Sequence, residues 1–183
     1  MADTSHYDEN MADFAVSFIE ELCHTKGTWA GKKFELIDWQ EQIIRDLFGV
    51  LKPNGYRQFN TAYIEIPKKQ GKSELAAAVA LLLLCGDGEE RAEVYGCAAD
   101  RNQAKIVFDV AVDMVKFSPA LMKRVKILES QKKIIYKPTN SSYQVLSADV
   151  ANKHGFNTHG VIFDELHDST KSKTLRCNDS RQW

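Results

Sequence analysis

Gly71, Lys72 and Ser73 stand in a row between a β-rich segment and a long apolar segment. At such a junction, backbone N–H groups of a helix N-terminus can hold an anion, a lysine can reach the β- and γ-phosphates, and a hydroxyl can bind magnesium. The strict phosphate-loop pattern also has a glycine five positions before Gly71, where this chain has Ile66. The position of the three residues, between strand and helix, therefore indicates a phosphate site more strongly than the motif alone.

Two adjacent acids, Asp164 and Glu165, end an apolar run that begins at Gly160. An acid at the end of a buried strand can hold magnesium, and its neighbour can position the water that attacks a phosphate. Each motif alone has an ordinary alternative, a chance lysine at a helix start or an acidic strand end in solvent. Together, separated by a βα repeat, they indicate a Walker A and Walker B pair that uses ATP and magnesium.

The elements that must position these residues follow from hydrophobic periodicity. Residues 1–24 and 39–48 have apolar side chains at helical spacing. Beyond them the sequence predicts a strand at 61–66, a buried helix at 74–85, a strand at 93–98, a helix at 101–117, short hairpin strands at 125–128, 134–136 and 143–146, and a strand from 160 to the two acids. This alternation of strands and helices implies a parallel sheet covered by helices.

The composition sets limits on the class of protein. With 183 residues and 44% hydrophobic content, the chain can bury the core of one domain. Its apolar run at 75–85 is too short to span a bilayer, so we predict no membrane segment. The four cysteines form no C-x-x-C pair, which fits a reducing cytoplasm.

The formal net charge of −1 does not indicate a nucleic-acid partner, so any such signal must be local. Basic residues cluster around the first predicted hairpin, at Lys123, Arg124, Lys126, Lys132 and Lys133. They could contact DNA phosphates, or they could form the solvated face of a β-ribbon. Both interpretations stay open.

The loop Pro67-Lys-Lys-Gln-Gly-Lys-Ser73 resembles the glycine-poor Walker A of the large subunit of tailed-phage terminases. Other segments that resemble the HK97-type ATPase domain of this family are WAGK at 29–32, LIDWQ at 36–40, AADRNQA at 98–104, LSAD at 146–149 and HGFNTHGVIFDELH at 154–167. The resemblance covers residues 10–168 and implies a P-loop NTPase three-layer α/β sandwich. Its mainly parallel sheet would be incomplete on the C-terminal side and would carry a small β-hairpin insertion.

The resemblance also implies a role for each matching residue. The nucleotide would contact Gln40, Trp39, Pro67, Lys69, Gln70, Gly71, Lys72, Ser73 and Glu74. Magnesium would bind Ser73 and Asp164, and Glu165 would stand behind the hydrolytic water. Lys68 takes the place of the family's usual arginine at the γ-phosphate, which removes a bidentate contact. For Trp39, core packing beside the helix is the competing interpretation.

As a family member the chain would be the ATPase part of a motor that packages double-stranded DNA into a procapsid. Its partners would be DNA, the terminase small subunit and the portal protein, on which it would form a ring in the bacterial host cytoplasm. We divide the chain into an N-terminal helix and loop at 1–30, a partial ATPase domain at 31–168, and a disordered or unrelated tail at 169–183. The family's nuclease domain would follow, so we predict no nuclease activity, and turnover of ATP is left open.

Two alternatives remain at this point. The tetrad DELH at 164–167 fits the D-E-x-H form of a superfamily-2 helicase or translocase, for which Gln40 could be the glutamine motif. The basic, glycine-poor loop argues against that class. The second alternative is a non-catalytic remnant that binds nucleotide or partners only.

Overall fold

The computed structural model describes residues 4–67, 70–98, 101–146 and 158–164, without the side chain of Arg101. The described helices are α1 (Glu9–Glu20), α2 (Asp38–Gly49), α3 (Lys72–Leu81), α4 (Arg101–Phe117) and α5 (Pro119–Arg124). The described strands are β1 (His6–Tyr7), β2 (Val50–Leu51), β3 (Glu93–Ala98), β4 (Val125–Leu128), β5 (Lys133–Tyr136), β6 (Ser141–Val145) and β7 (Thr158–Asp164). None of these helices is both long enough and apolar enough to cross a bilayer.

The main sheet has five strands in the order β4-β5-β6-β3-β7. β3 pairs in parallel with β6 on one side and with β7 on the other, whereas β4, β5 and β6 form an antiparallel meander. The predicted hairpins therefore continue the main sheet. Within the described part of the chain, β7 lies at one edge of this sheet. The predicted α/β class, with parallel central strands and helices, is confirmed.

The helices pack on one face of the sheet. Helices α1 to α4 share one core cluster with residues of that face, among them Val94, Tyr143 and Val145. The opposite face carries a smaller apolar cluster of Tyr95, Cys97 and Leu146. This alternation along β3 and β6 follows from the two-residue period of a strand.

Helix α3 is apolar on almost every side, and the structure buries it accordingly. Leu75, Ala77, Ala78 and Leu81 are each at most 4% exposed. A helix that is apolar all round belongs in a core, and burying each leucine contributes about 1.5–3 kcal/mol. The helix continues into a π-helical turn at Leu82–Gly86. The buried helix predicted at 74–85 is confirmed.

The prediction of a strand at 61–66 is wrong, because these residues form no strand or bridge. The segment lies beside α2, and Tyr63 and Ile64 are 71% and 40% exposed. A strand needs a neighbour for its backbone hydrogen bonds, and β-rich composition cannot supply one. An unpaired segment therefore precedes the loop before α3.

Candidate nucleotide-binding site

The start of α3 is shaped by Gly71. This residue precedes Lys72 in the left-handed region, with φ 76° and ψ 16°. Its carbonyl accepts the hydrogen bond of the Leu75 amide at 3.0 Å, and as a glycine this N-cap residue has no side chain with which to cap the helix. Because the N–H groups of a first turn have no acceptor within the helix, this end is suited to an anion.

Gln40 reaches this helix end from α2. It is 6% exposed, and its Oε1 accepts a hydrogen bond from the Ile37 amide at 3.2 Å. A Cβ added to Gly71 would lie 3.7 Å from Gln40 Nε2. The structure therefore brings together two predicted site residues from different helices. Trp39 is partly buried and packs against the main core.

Glu74, in the first turn of α3, is turned toward an earlier loop. Its carboxylate accepts hydrogen bonds from the Thr25 amide at 3.2 Å and the Thr25 hydroxyl at 3.5 Å, and it lies 3.0 Å from His24 Nδ1. His24 also stacks on Phe34, with ring centroids 4.6 Å apart. These contacts fix the first turn of α3 to the loop before α2. Sequence reasoning missed His24 and Thr25, since neither belongs to a motif.

Asp164 ends β7 and stands opposite Ala98, the last residue of β3. In open α/β sheets, ligands bind outside the carboxyl ends of parallel strands. Ser73 lies half-buried in the first turn of α3, which packs against β7. A hydroxyl and a carboxylate are the oxygen donors that magnesium prefers.

The described residues contain no cluster of three or more His, Cys, Asp or Glu side chains that could hold a metal. Magnesium in nucleotide sites needs only one or two protein oxygens, because phosphates and water supply the rest. The donor set of Ser73 and Asp164 therefore fits magnesium that arrives with a nucleotide.

The remaining predicted site residues divide into two groups. Pro67 and Gln70 are exposed on either side of the loop, and Lys72 is half-buried at the start of α3. Lys68, Lys69 and Glu165 lie outside the described residues.

Two of the basic residues near the first hairpin, Lys126 and Lys133, lie on the face of the sheet away from the helices. Lys126 pairs with Ile135, and Lys133 pairs with Leu128, so both lysines point to the face opposite the buried Ile134. The other members of the group are the exposed Lys123 and Arg124 at the end of α5 and the half-buried Lys132 in the turn. The nearby Lys116 is paired with Glu129 at 2.9 Å, and this carboxylate raises the pKa of Lys116.

Comparisons with known proteins indicate the family of the chain. The family model for the ATPase domain of the terminase large subunit matches residues 38–179. The terminase large subunit of Enterobacteria phage HK97 is 34% identical over 152 residues, which are 82% of this chain and 29% of that protein. The crystal structure of the HK97 bacteriophage large terminase matches with a TM-score of 0.71 and 32% identity, covering 84% of this chain and 31% of that one. The chain thus spans less than a third of the length of these relatives, and it belongs to the terminase large subunit family as a homologue of the ATPase domain.

Proposed function

We propose that this chain binds ATP with magnesium and hydrolyses it as the ATPase part of a motor that packages double-stranded DNA. The observation that carries the proposal is the meeting of Gly71 and Gln40 at the start of α3, where a Cβ on Gly71 would lie 3.7 Å from Gln40 Nε2. One residue opens a helix end for phosphates, and the other offers an amide for a base. Family membership supports the same assignment.

The hydrogen bond of Gln40 sets its role toward the adenine. Its Oε1 is engaged by the Ile37 amide, so Nε2 is the atom left to face a ligand. An amide nitrogen only donates, so it would pair with a ring nitrogen of adenine that carries a lone pair. This arrangement favours adenine over a base that presents a donor at that position.

Each of the remaining site residues would have its own role at the phosphates. Lys72 would place its ammonium on the β- and γ-phosphates, and Ser73 and Asp164 would hold the magnesium that bridges them. Glu165 would orient the attacking water. Lys68 would add a point charge at the γ-phosphate without the bidentate geometry of an arginine.

The partners follow from the family and belong to the same proposal. We propose that the chain acts in the host cytoplasm with double-stranded DNA, the terminase small subunit and the portal protein, in a ring on the portal. The exposed Lys126 and the half-buried Lys133, on one face of the hairpin, would contact DNA phosphates. Replacing both by glutamate should weaken DNA binding and flatten its salt dependence by about one unit of slope for each lost contact. Unchanged binding would mean that this face is only solvated.

The test of the main proposal uses Lys72→Ala and Glu165→Gln, with Lys105→Ala, a partly exposed lysine of α4 paired with Asp109, as a matched control. ATP binding and hydrolysis are measured with magnesium, with and without double-stranded DNA. We expect Lys72→Ala to lose binding, Glu165→Gln to bind without turnover, and Lys105→Ala to behave as wild type. Binding without turnover in the wild-type chain would favour a non-catalytic role. If the wild-type chain does not bind ATP at all, the nucleotide site is wrongly assigned.

A further inference from the structure

Tyr143 in β6 carries a buried hydroxyl group that has no role in the proposed function described above. The residue is 0% exposed, and its Oη has no hydrogen-bond partner among the residues that the structure describes. Burial raises the pKa of Tyr143, and the charges of Cys97 and Asp164 raise it further. The group is therefore a neutral hydroxyl that can donate a hydrogen bond.

The side chain of Tyr143 leans toward the carboxyl end of the neighbouring strand. Tyr143 stands opposite Val94 of β3, yet its Oη would be 2.7 Å from a Cβ on Gly96, two residues further along. The absence of a side chain at Gly96 is what leaves room for the hydroxyl. In most proteins a buried hydroxyl has a hydrogen-bond partner, so the direction of this hydroxyl indicates where a partner should lie.

The carboxyl end of β7, with Asp164, lies in that direction. Gly96 stands opposite Ile162 of β7, and Asp164 follows two residues later. Since residues two apart share a face of a strand, Tyr143, Gly96 and Asp164 all belong to the face that packs against α3 and α4. Two residues of strand advance about 6.6 Å. The carboxylate is near enough for its charge to act on the Tyr143 hydroxyl, and one water molecule can join a hydroxyl and a carboxylate that do not bond directly.

We propose that Tyr143 is a positioning residue for Asp164, whose carboxylate accepts a hydrogen bond from the Tyr143 hydroxyl through one water. The bond fixes the carboxylate at the end of β7, where the first turn of α3 brings Ser73. Gly96 is also required for this arrangement, since any side chain there would displace the Tyr143 hydroxyl. The inference rests on the proposed function only for the use of Asp164 in magnesium binding, and the contact itself is independent of nucleotide.

The contact is tested by a double-mutant cycle of Tyr143→Phe and Asp164→Ala, measured by urea unfolding without nucleotide or magnesium. Tyr143→Phe should raise the unfolding constant about fivefold to tenfold in the wild-type background and leave it unchanged or lower it in the Asp164→Ala background. The reason is that the hydroxyl has a partner only when the carboxylate is present. Equal effects in both backgrounds, within twofold, would overturn the proposal.

The role of the contact in magnesium binding is tested by measuring the binding of a fluorescent ATP analogue over a range of magnesium concentrations. Tyr143→Phe should raise the concentration for half-saturation about tenfold, the size typical of a lost partner behind a metal ligand, and leave magnesium-free binding unchanged. Tyr136→Phe is the matched control, since Tyr136 is a buried tyrosine of β5, one strand further from β7. Equal half-saturation in the two tyrosine variants would contradict the positioning role.

The cycle also separates the inference from the proposed function. If Asp164→Ala leaves the magnesium dependence unchanged, the assignment of Asp164 as a magnesium ligand fails. Coupling between Tyr143 and Asp164 in the unfolding experiment would then still support the contact, and its absence would still refute it.

Discussion

Replacing Gly71 by alanine tests whether the backbone at the start of α3 builds the phosphate site. Gly71 lies in the left-handed region with φ 76°. A residue with a Cβ is less stable there by about 1–2 kcal/mol. Among the described residues other than its chain neighbours, the nearest atom to such a Cβ would be Gln40 Nε2 at 3.7 Å, an ordinary contact. The effect expected from these residues is therefore conformational and not steric.

This conformational cost sets the expected effect on ATP affinity. If the phosphates bind only the left-handed conformer, alanine reduces the binding-competent population, and the apparent affinity falls by the same factor. A cost of about 1–2 kcal/mol corresponds to a fall of roughly 5- to 30-fold. Equilibrium titration of Gly71→Ala with a fluorescent ATP analogue measures it.

Gly55→Ala is the control for backbone strain. Gly55 has φ 83°, no atom of the described residues beyond its chain neighbours would lie within 4 Å of an added Cβ, and it lies in the turn after β2, outside the site. Both variants should lose a similar free energy of unfolding, about 1–2 kcal/mol, but only Gly71→Ala should lose ATP affinity. If Gly71→Ala is destabilised as expected yet binds ATP like the wild type, the helix end does not hold the phosphates.

Three further predictions concern the surroundings of the site. Glu74→Ala leaves the Thr25 amide without its acceptor and should lower stability by about 1.5–3 kcal/mol, or roughly 3–12 °C in a thermal melt, and Glu74→Gln should restore part of it. Gly96→Ala places a Cβ 2.7 Å from the Tyr143 hydroxyl and should cost about 1–3 kcal/mol in urea unfolding, with part recovered when Tyr143→Phe is added. Since burial raises the pKa of Tyr143 above its ordinary 10.0, its contribution to stability is complete below pH 10 and is lost as the pH rises further. Between pH 10 and the raised pKa, the wild type should therefore lose about 1.4 kcal/mol per pH unit more than Tyr143→Phe, and parallel pH profiles would refute the assignment.

The sequence predicted best those elements whose side chains alone determine their structure. The strand at 93–98 and the helix at 101–117 have the predicted bounds, because continuous burial and helical periodicity both leave a pattern in the residues. The segment at 61–66 has an equally β-rich composition and forms no strand. Pairing depends on a neighbour elsewhere in the fold, which composition does not record.

In the candidate site, too, features set by local residues could be predicted, and contacts between distant residues could not. The junction of loop and helix could be predicted from local residues, although α3 begins at Lys72, two residues before the predicted start. The approach of Gln40 to Gly71 was implied only by the family resemblance. The contact between Glu74 and Thr25 joins residues 49 positions apart with no motif on either side. A hydrogen bond of this kind depends on how helices and loops pack, so a single sequence gives no signal for it.

The unpaired segment before the loop does little to fix the N-terminus of α3, where we propose that phosphates bind. Ordering each residue of a loop costs about 1–2 kcal/mol, and 61–66 contributes no ladder hydrogen bonds to offset it. The helix side supplies the stabilisation instead, through the burial of Leu75 and Leu81 and through the bonds of Glu74. Gln40 is held separately by α2. Because the two halves of the site are fixed by different helices that meet at Gly71, ATP bound across them would join α2 to α3, and its binding energy would stabilise that junction directly.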